Sequence, residues 1–120
     1  MNLRIASEQL RFRISANEFA TLCADGILES NIRLSATDGL NYAIRTERTP
    51  KSADDRTLEL ASTTTANGSR IELIVFADGI AQLQTPQVGK DGIQEHLAFA
   101  NGDLLSIGLE IDLHSKKGAN

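Results

Sequence analysis

The chain has 120 residues and a mass of 13.0 kDa, enough for a single domain over residues 1–120 with one core that needs no metal or disulfide. Apolar residues make up 41% and charged residues 23%, a balance that argues against a disordered or a membrane-spanning chain. Basic residues number 12 and acidic residues 16, and the net charge of −4 argues against nucleic acid as a partner, since nucleic-acid binders usually carry a surplus of Lys and Arg.

The opening residues hold no apolar run long enough for a signal-peptide core. The longest apolar stretch, Leu73-Ile74-Val75-Phe76-Ala77, is far short of the ~20 residues a spanning helix needs. A cytoplasmic protein without membrane contact is expected. Cys23 is the single cysteine, so no internal disulfide forms.

In chain order, the first signal is alternation. Leu3 and Ile5, then Leu10, Phe12 and Ile14, are apolar at every second position, with Arg4, Arg11 and Arg13 between or beside them. A hairpin with Ser7 and Glu8 at its tip sets Leu3 opposite Phe12, Ile5 opposite Leu10 and Arg4 opposite Arg11, so that one face is wholly apolar. Ser7-Glu8 lacks the Gly or Asn of the favoured two-residue turns, which points to a four-residue turn over Ala6–Gln9. The period then changes. Ser15-Ala16-Asn17-Glu18 reads as a capping box, Phe19, Leu22 and Cys23 follow at helical spacing, and Gly26 can end the segment, which predicts a helix over 16–25.

A second hairpin must place Ile32 and Leu34 on one face with Leu40, Tyr42 and Ile44. A three-residue loop, Thr37-Asp38-Gly39, does so by setting Leu34 opposite Tyr42 and Ile32 opposite Ile44. Residues 48–56 are polar, contain Pro50 and read as a surface loop. A third hairpin joins Thr57–Thr65 to Arg70–Ala77 through Ala66-Asn67-Gly68-Ser69. Its return strand is apolar at both parities, the mark of a central strand covered on both sides. Ile80 and Leu83 suggest one or two helical turns between Asp78 and Pro86. After the turn-rich link from Gly89 to Gly92, a last hairpin joins Gln94–Phe99 to Leu104–Leu113, and a loop of Ala100-Asn101-Gly102 sets Leu97 opposite Leu105. The tail from Ser115 to Asn120 is polar. No internal repeat is visible.

Four hairpins and one main helix predict an α+β fold: an antiparallel meander of about eight strands, curled around the helix or partly closed into a barrel. The long apolar last strand is a candidate edge, where strand addition would make a homo-oligomer.

Arg4, Arg11 and Arg13 form the one cluster that suggests chemistry. They share the polar face of the first hairpin, and like charges face to face are unfavourable unless an anion or a carboxylate sits between them. Guanidinium groups grip phosphate and carboxylate through paired hydrogen bonds, so an anion-binding patch is one reading. The other is a solvated charge network completed by Glu59, Glu72, Glu110 or Asp112 from neighbouring strands. Cys23 reads as a packing cysteine on the apolar face of the helix, and His96 and His114 as isolated surface residues. No metal-ligand spacing, phosphate loop, nucleophile elbow or dinucleotide fingerprint is present, so no cofactor or metal is expected. With no Trp and one Tyr, platforms for stacking single-stranded bases are nearly missing. A non-catalytic binding or protein-interaction module is the first functional expectation. An enzyme or sensor for a phosphorylated or carboxylated small molecule at the arginines is the alternative.

Met1-Asn2-Leu3-Arg4-Ile5 followed by Leu10-Arg11-Phe12-Arg13-Ile14-Ser15 and Glu18 resembles the opening of a family of short, uncharacterised bacterial proteins. Asn101-Gly102-Asp103-Leu104-Leu105 through Glu110-Ile111-Asp112-Leu113 is similar to that family's last strand. The resemblance implies an unassigned function, confers no active site, and implies that the three arginines belong to a shared design. Where the family tends to carry a Cys after the final strand, this chain has Ser115.

Overall fold

The computed structural model describes residues 1–47, 56–85 and 92–112. The elements run β1 (Asn2–Ala6), β2 (Gln9–Ser15), α1 (Ala16–Asp25), β3 (Ile27–Arg33), β4 (Gly39–Glu47), β5 (Leu58–Thr65), β6 (Gly68–Phe76), α2 (Ala77–Leu83), β7 (Ile93–Ala98) and β8 (Leu104–Asp112). The chain is mostly β with two short helices, and its strands form two four-stranded sheets, ordered β1-β2-β8-β7 and β3-β4-β6-β5.

This corrects the expectation of one eight-stranded meander, curled or partly closed. All four hairpins form, but they do not follow one another across a single sheet: the first lies beside the last, and the second beside the third. Strand β2 pairs with β8, and β4 with β6, in parallel. The helices stand at the crossings between sheets, α1 between β2 of the first sheet and β3 of the second, α2 between β6 of the second and β7 of the first. Parallel neighbours need a long connection: the whole second sheet lies between β2 and β8 in the chain, and β5 lies between β4 and β6. The last strand is therefore no edge: β8 sits between β2 and β7.

Local structure follows the sequence closely in the first half. The first hairpin has the expected register, Leu3 opposite Phe12 and Arg4 opposite Arg11, with Ser7-Glu8 as a two-residue loop in place of the expected four-residue turn. Helix α1 covers residues 16–25. The Ser15 hydroxyl accepts from the Glu18 amide at 3.1 Å, the Glu18 carboxylate accepts from the Ser15 amide at 2.9 Å, and Gly26 ends the helix at φ 82°.

The second hairpin keeps the expected faces but slides by two residues on each strand. Ile32 lies opposite Leu40 and Leu28 opposite Ile44, around a loop over residues 34–38. Asp38 closes that loop, its carbonyl accepting from the Leu34 amide at 2.9 Å and its own amide donating to the Ser35 hydroxyl at 3.0 Å. Gly39 serves a close approach rather than a left-handed turn: a Cβ built on Gly68, at φ +139°, would stand 1.9 Å from the Gly39 carbonyl oxygen. The third hairpin turns on Ala66-Asn67 alone, two residues shorter than expected. β6 is an inner strand with Leu73, Ile74, Val75 and Phe76 all buried, as its two apolar faces require. Residues 78–83 are helical within α2, and the last hairpin sets Leu97 opposite Leu105 as expected. The expected surface loop over 48–56, except Arg56, most of the link from 89 to 92, and the polar tail lie outside the described residues.

The two sheets share one core. Phe12, Ile14, Leu22, Ile44, Leu58, Leu73, Val75, Ile107 and Leu109 are fully buried within a single cluster. The fold also contains a duplication that the sequence hides. β1-β2-α1-β3-β4 and β5-β6-α2-β7-β8 are the same ββαββ unit, and each sheet takes one hairpin from each unit. The registers agree throughout: Leu3–Phe12 matches Leu60–Leu73, Phe12–Leu109 matches Leu73–Ile44, and Leu97–Leu105 matches Ile32–Leu40. The loops over 34–38 and 99–103 are closed by the same bond, the Phe99 amide donating to the Asp103 carbonyl at 2.9 Å.

Burial runs downhill along the inner faces. Near the helices the sheets are closed; towards the hairpin turns they open. Leu58 is buried, Leu60 half-buried, Ser62 and Thr64 exposed, and Ile107 is buried where Leu105 is half-buried. Ile5, Ile32, Leu34, Phe99 and Leu104, all at the turn end, are 49% to 65% exposed.

Candidate functional site

The register of the first hairpin puts Arg4, Arg11 and Arg13 on the outer face of the first sheet, opposite the buried Leu10, Phe12 and Ile14. Together with Asn2, Leu3 and Glu110 they line a hollow of about 190 Å³. The parallel partner β8 brings the carboxylates: Arg13 lies beside Glu110 and Ser15 beside Asp112 in register. Arg11 Nε donates to Glu110 Oε1 at 2.9 Å and its Nη1 to Gln94 Oε1 at 3.4 Å. Arg13 Nη2 stands 3.5 Å from Asp112 Oδ1, while its Nε is buried with no hydrogen-bond partner. Arg4 is exposed and makes no ion pair among the described residues.

Of the four acids considered from sequence, Glu110 and Asp112 reach the arginines, whereas Glu59 and Glu72 belong to the other sheet. Asn2 and Gln94 were missed. Asn2 was within reach of the same arithmetic, since it faces Arg13 across the hairpin, but Gln94 arrives through the pairing of β7 with β8, which no local pattern announces.

The second sheet carries its own charges. Arg70 Nη2 lies 2.8 Å from Glu29 and 3.0 Å from Glu72, and Arg45 Nε lies 3.6 Å from Glu72 and its Nη1 3.2 Å from Glu47. Hydrogen bonds to Glu29 and then Glu72 push the Arg70 guanidinium further up its already high range. Matched through the duplication, Arg11 occupies the place of Glu72 and Glu110 the place of Arg45, so the same diagonal ion pair occurs in both sheets with its charges exchanged. Arg4 matches Ala61 and Arg13 matches Ile74: these two cations have no counterpart.

Elsewhere, Glu95 on the inner face of β7 accepts from the Thr57 amide at 2.8 Å and from its hydroxyl at 2.9 Å, tying one sheet to the other. Cys23 is exposed, not packed as expected; partial burial of the thiol still pushes its pKa up, away from the reactive thiolate. His96 is exposed beside Gln94, which donates to Ser106 Oγ at 2.7 Å, and His114 lies outside the described residues. Among the described residues no group of His, Cys, Asp and Glu is spaced to hold a metal ion, and no helix is long and apolar enough to cross a membrane.

Fold and site define a mostly β, two-sheet protein built on a duplicated ββαββ unit, with ion-paired outer faces and an opening at the turn end. The chain belongs to the family of unknown function DUF7009, which matches residues 1–117. Searches of curated proteins and of solved structures gave no match. Membership agrees with the expected tie to an uncharacterised family and transfers no activity or site residue.

Proposed function

We propose that the chain is a non-catalytic interaction module that assembles with a second copy of itself through the edge strand β1 and the apolar turn end of the first sheet. The observation that carries this reading is Ile5. It lies on β1, whose outer side pairs with no strand among the described residues, and its side chain is 62% exposed. An edge strand offers a row of unpaired amides and carbonyls, and the partner that satisfies them is another edge. Phe99 on the β7–β8 loop and Leu104 at the start of β8 add exposed apolar side chains at the same end of the sheet, and with Ser7, Glu8 and Leu105 they line a groove beside the β1–β2 turn. Exposed apolar side chains gathered at one end of a sheet mark interaction surfaces. The edge proposed is β1, not the last strand. A cytoplasmic setting belongs to this reading, supported by the lone Cys23.

Light scattering across a concentration series tests it. A dimer is expected that Ile5→Ser and Leu104→Ser each shift towards monomer. A strict monomer at every concentration, or a dimer indifferent to both substitutions, overturns it.

A further inference from the structure

The duplication gives an internal control for the arginine cluster. A pair present in both halves with opposite polarity serves the unit, whichever way its charges run; Arg11–Glu110 is such a pair, matched by Glu72–Arg45. What remains on the first sheet is specific to it. Arg4 is exposed and without an ion pair among the described residues, and Arg13 meets Asp112 at 3.5 Å through one nitrogen while its Nε is left without an acceptor. Across the hairpin Arg4 faces Arg11 and Arg13 faces Asn2, so the two leftover cations sit on a diagonal with the Asn2 amide beside them, around the 190 Å³ hollow.

We propose that Arg4 and Arg13, with the Asn2 amide, form a binding site for a phosphate-type dianion, and that Arg11 positions the site by neutralising Glu110. The donor set favours a tetrahedral group over a carboxylate. Arg4 and Asn2 on β1 and Arg13 on β2 line the hollow from two strands, and two guanidinium groups with an amide carry more N–H donors than two coplanar oxygens accept, whereas a terminal phosphate offers three oxygens. Glu110 also lines the hollow, and its charge is answered by Arg11 Nε at 2.9 Å, so it does not leave a bare carboxylate facing the ligand. The second sheet, with Ala61 and Ile74 at the matching positions, has no such site.

The probe is inorganic phosphate, titrated at constant ionic strength while the arginine Nε–H resonances are followed by NMR, with acetate as a parallel titrant. Dilute protein keeps the result independent of the self-assembly proposed above. Saturable shifts are expected at Arg4 and Arg13, with acetate binding more weakly. Arg4→Ala, at an exposed position, is expected to fold and to weaken phosphate binding about tenfold. Arg45→Ala on the other sheet is expected to leave it unchanged. Shifts that grow linearly without saturating, equal binding by Arg4→Ala, equal weakening by Arg45→Ala, or acetate binding as tightly as phosphate would each overturn the assignment. Arg13→Gln is expected to weaken phosphate binding likewise, and unchanged binding by that variant would overturn the assignment; should it fail to fold, Arg4→Ala decides the matter alone.

Discussion

The two sheets are the same construction put to different use. Each takes one hairpin from each ββαββ unit, each joins them by a parallel central pair, and each buries the same positions: Phe12 against Leu109 in the first, Leu73 against Ile44 in the second. Their outer faces diverge. On the second sheet Arg45 and Arg70 are both paired, with Glu29, Glu47 and Glu72, whereas the first keeps Arg4 and the Nε of Arg13 without a carboxylate partner among the described residues. Positions that agree between the halves answer to folding. Positions that differ mark what one sheet does and the other does not.

The comparison breaks first at the core. Phe12 and Leu73 are matched, fully buried and held by matched neighbours. Chemical denaturation is expected to show Phe12→Ala costing about 3–5 kcal/mol and Leu73→Ala about 2–5 kcal/mol. A negligible loss at either position would mean that the halves are not mechanically equivalent.

The exchanged ion pair sharpens it with a smaller effect. A double-mutant cycle on Arg11 and Glu110, whose side chains are 22% and 23% exposed, is expected to give a coupling of about 1 kcal/mol or less. The wider Arg45–Glu72 pair, with Arg45 36% exposed, is expected to give less. The reversed double variant, Arg11→Glu with Glu110→Arg, is expected to recover most of the loss of either single change, because the second sheet already holds that polarity.

The faces of nearly every strand were legible in the sequence because side chains alternate with a period of two, and the capping box of α1 was legible because it is local. Register was less so. Parity separates odd from even and nothing finer, so a three-residue loop at Thr37-Asp38-Gly39 and the observed loop over 34–38 fit the second hairpin equally well on faces, and only the Asp38 carbonyl and amide bonds choose between them. The order of hairpins was not legible at all. Nothing along β2 states that its neighbour lies in the last strand, and that pairing turns a meander into two sheets. The duplication stayed hidden because matched core positions on the strands differ in residue, Leu10, Phe12 and Ile14 standing for Ile71, Leu73 and Val75, and identities such as Leu3 with Leu60 and Leu105 with Leu40 are of the commonest residue type. The arginine cluster was readable as a face, since one hairpin carries it, but its carboxylates come from β8.

Cross-strand contacts in an NMR spectrum test the duplicated arrangement most directly. Parallel contacts are expected between Phe12 and Leu109 and between Leu73 and Ile44, with the two registers superimposable. Antiparallel contacts between β4 and β5, the signature of a chain folding back on its next neighbour, would contradict it.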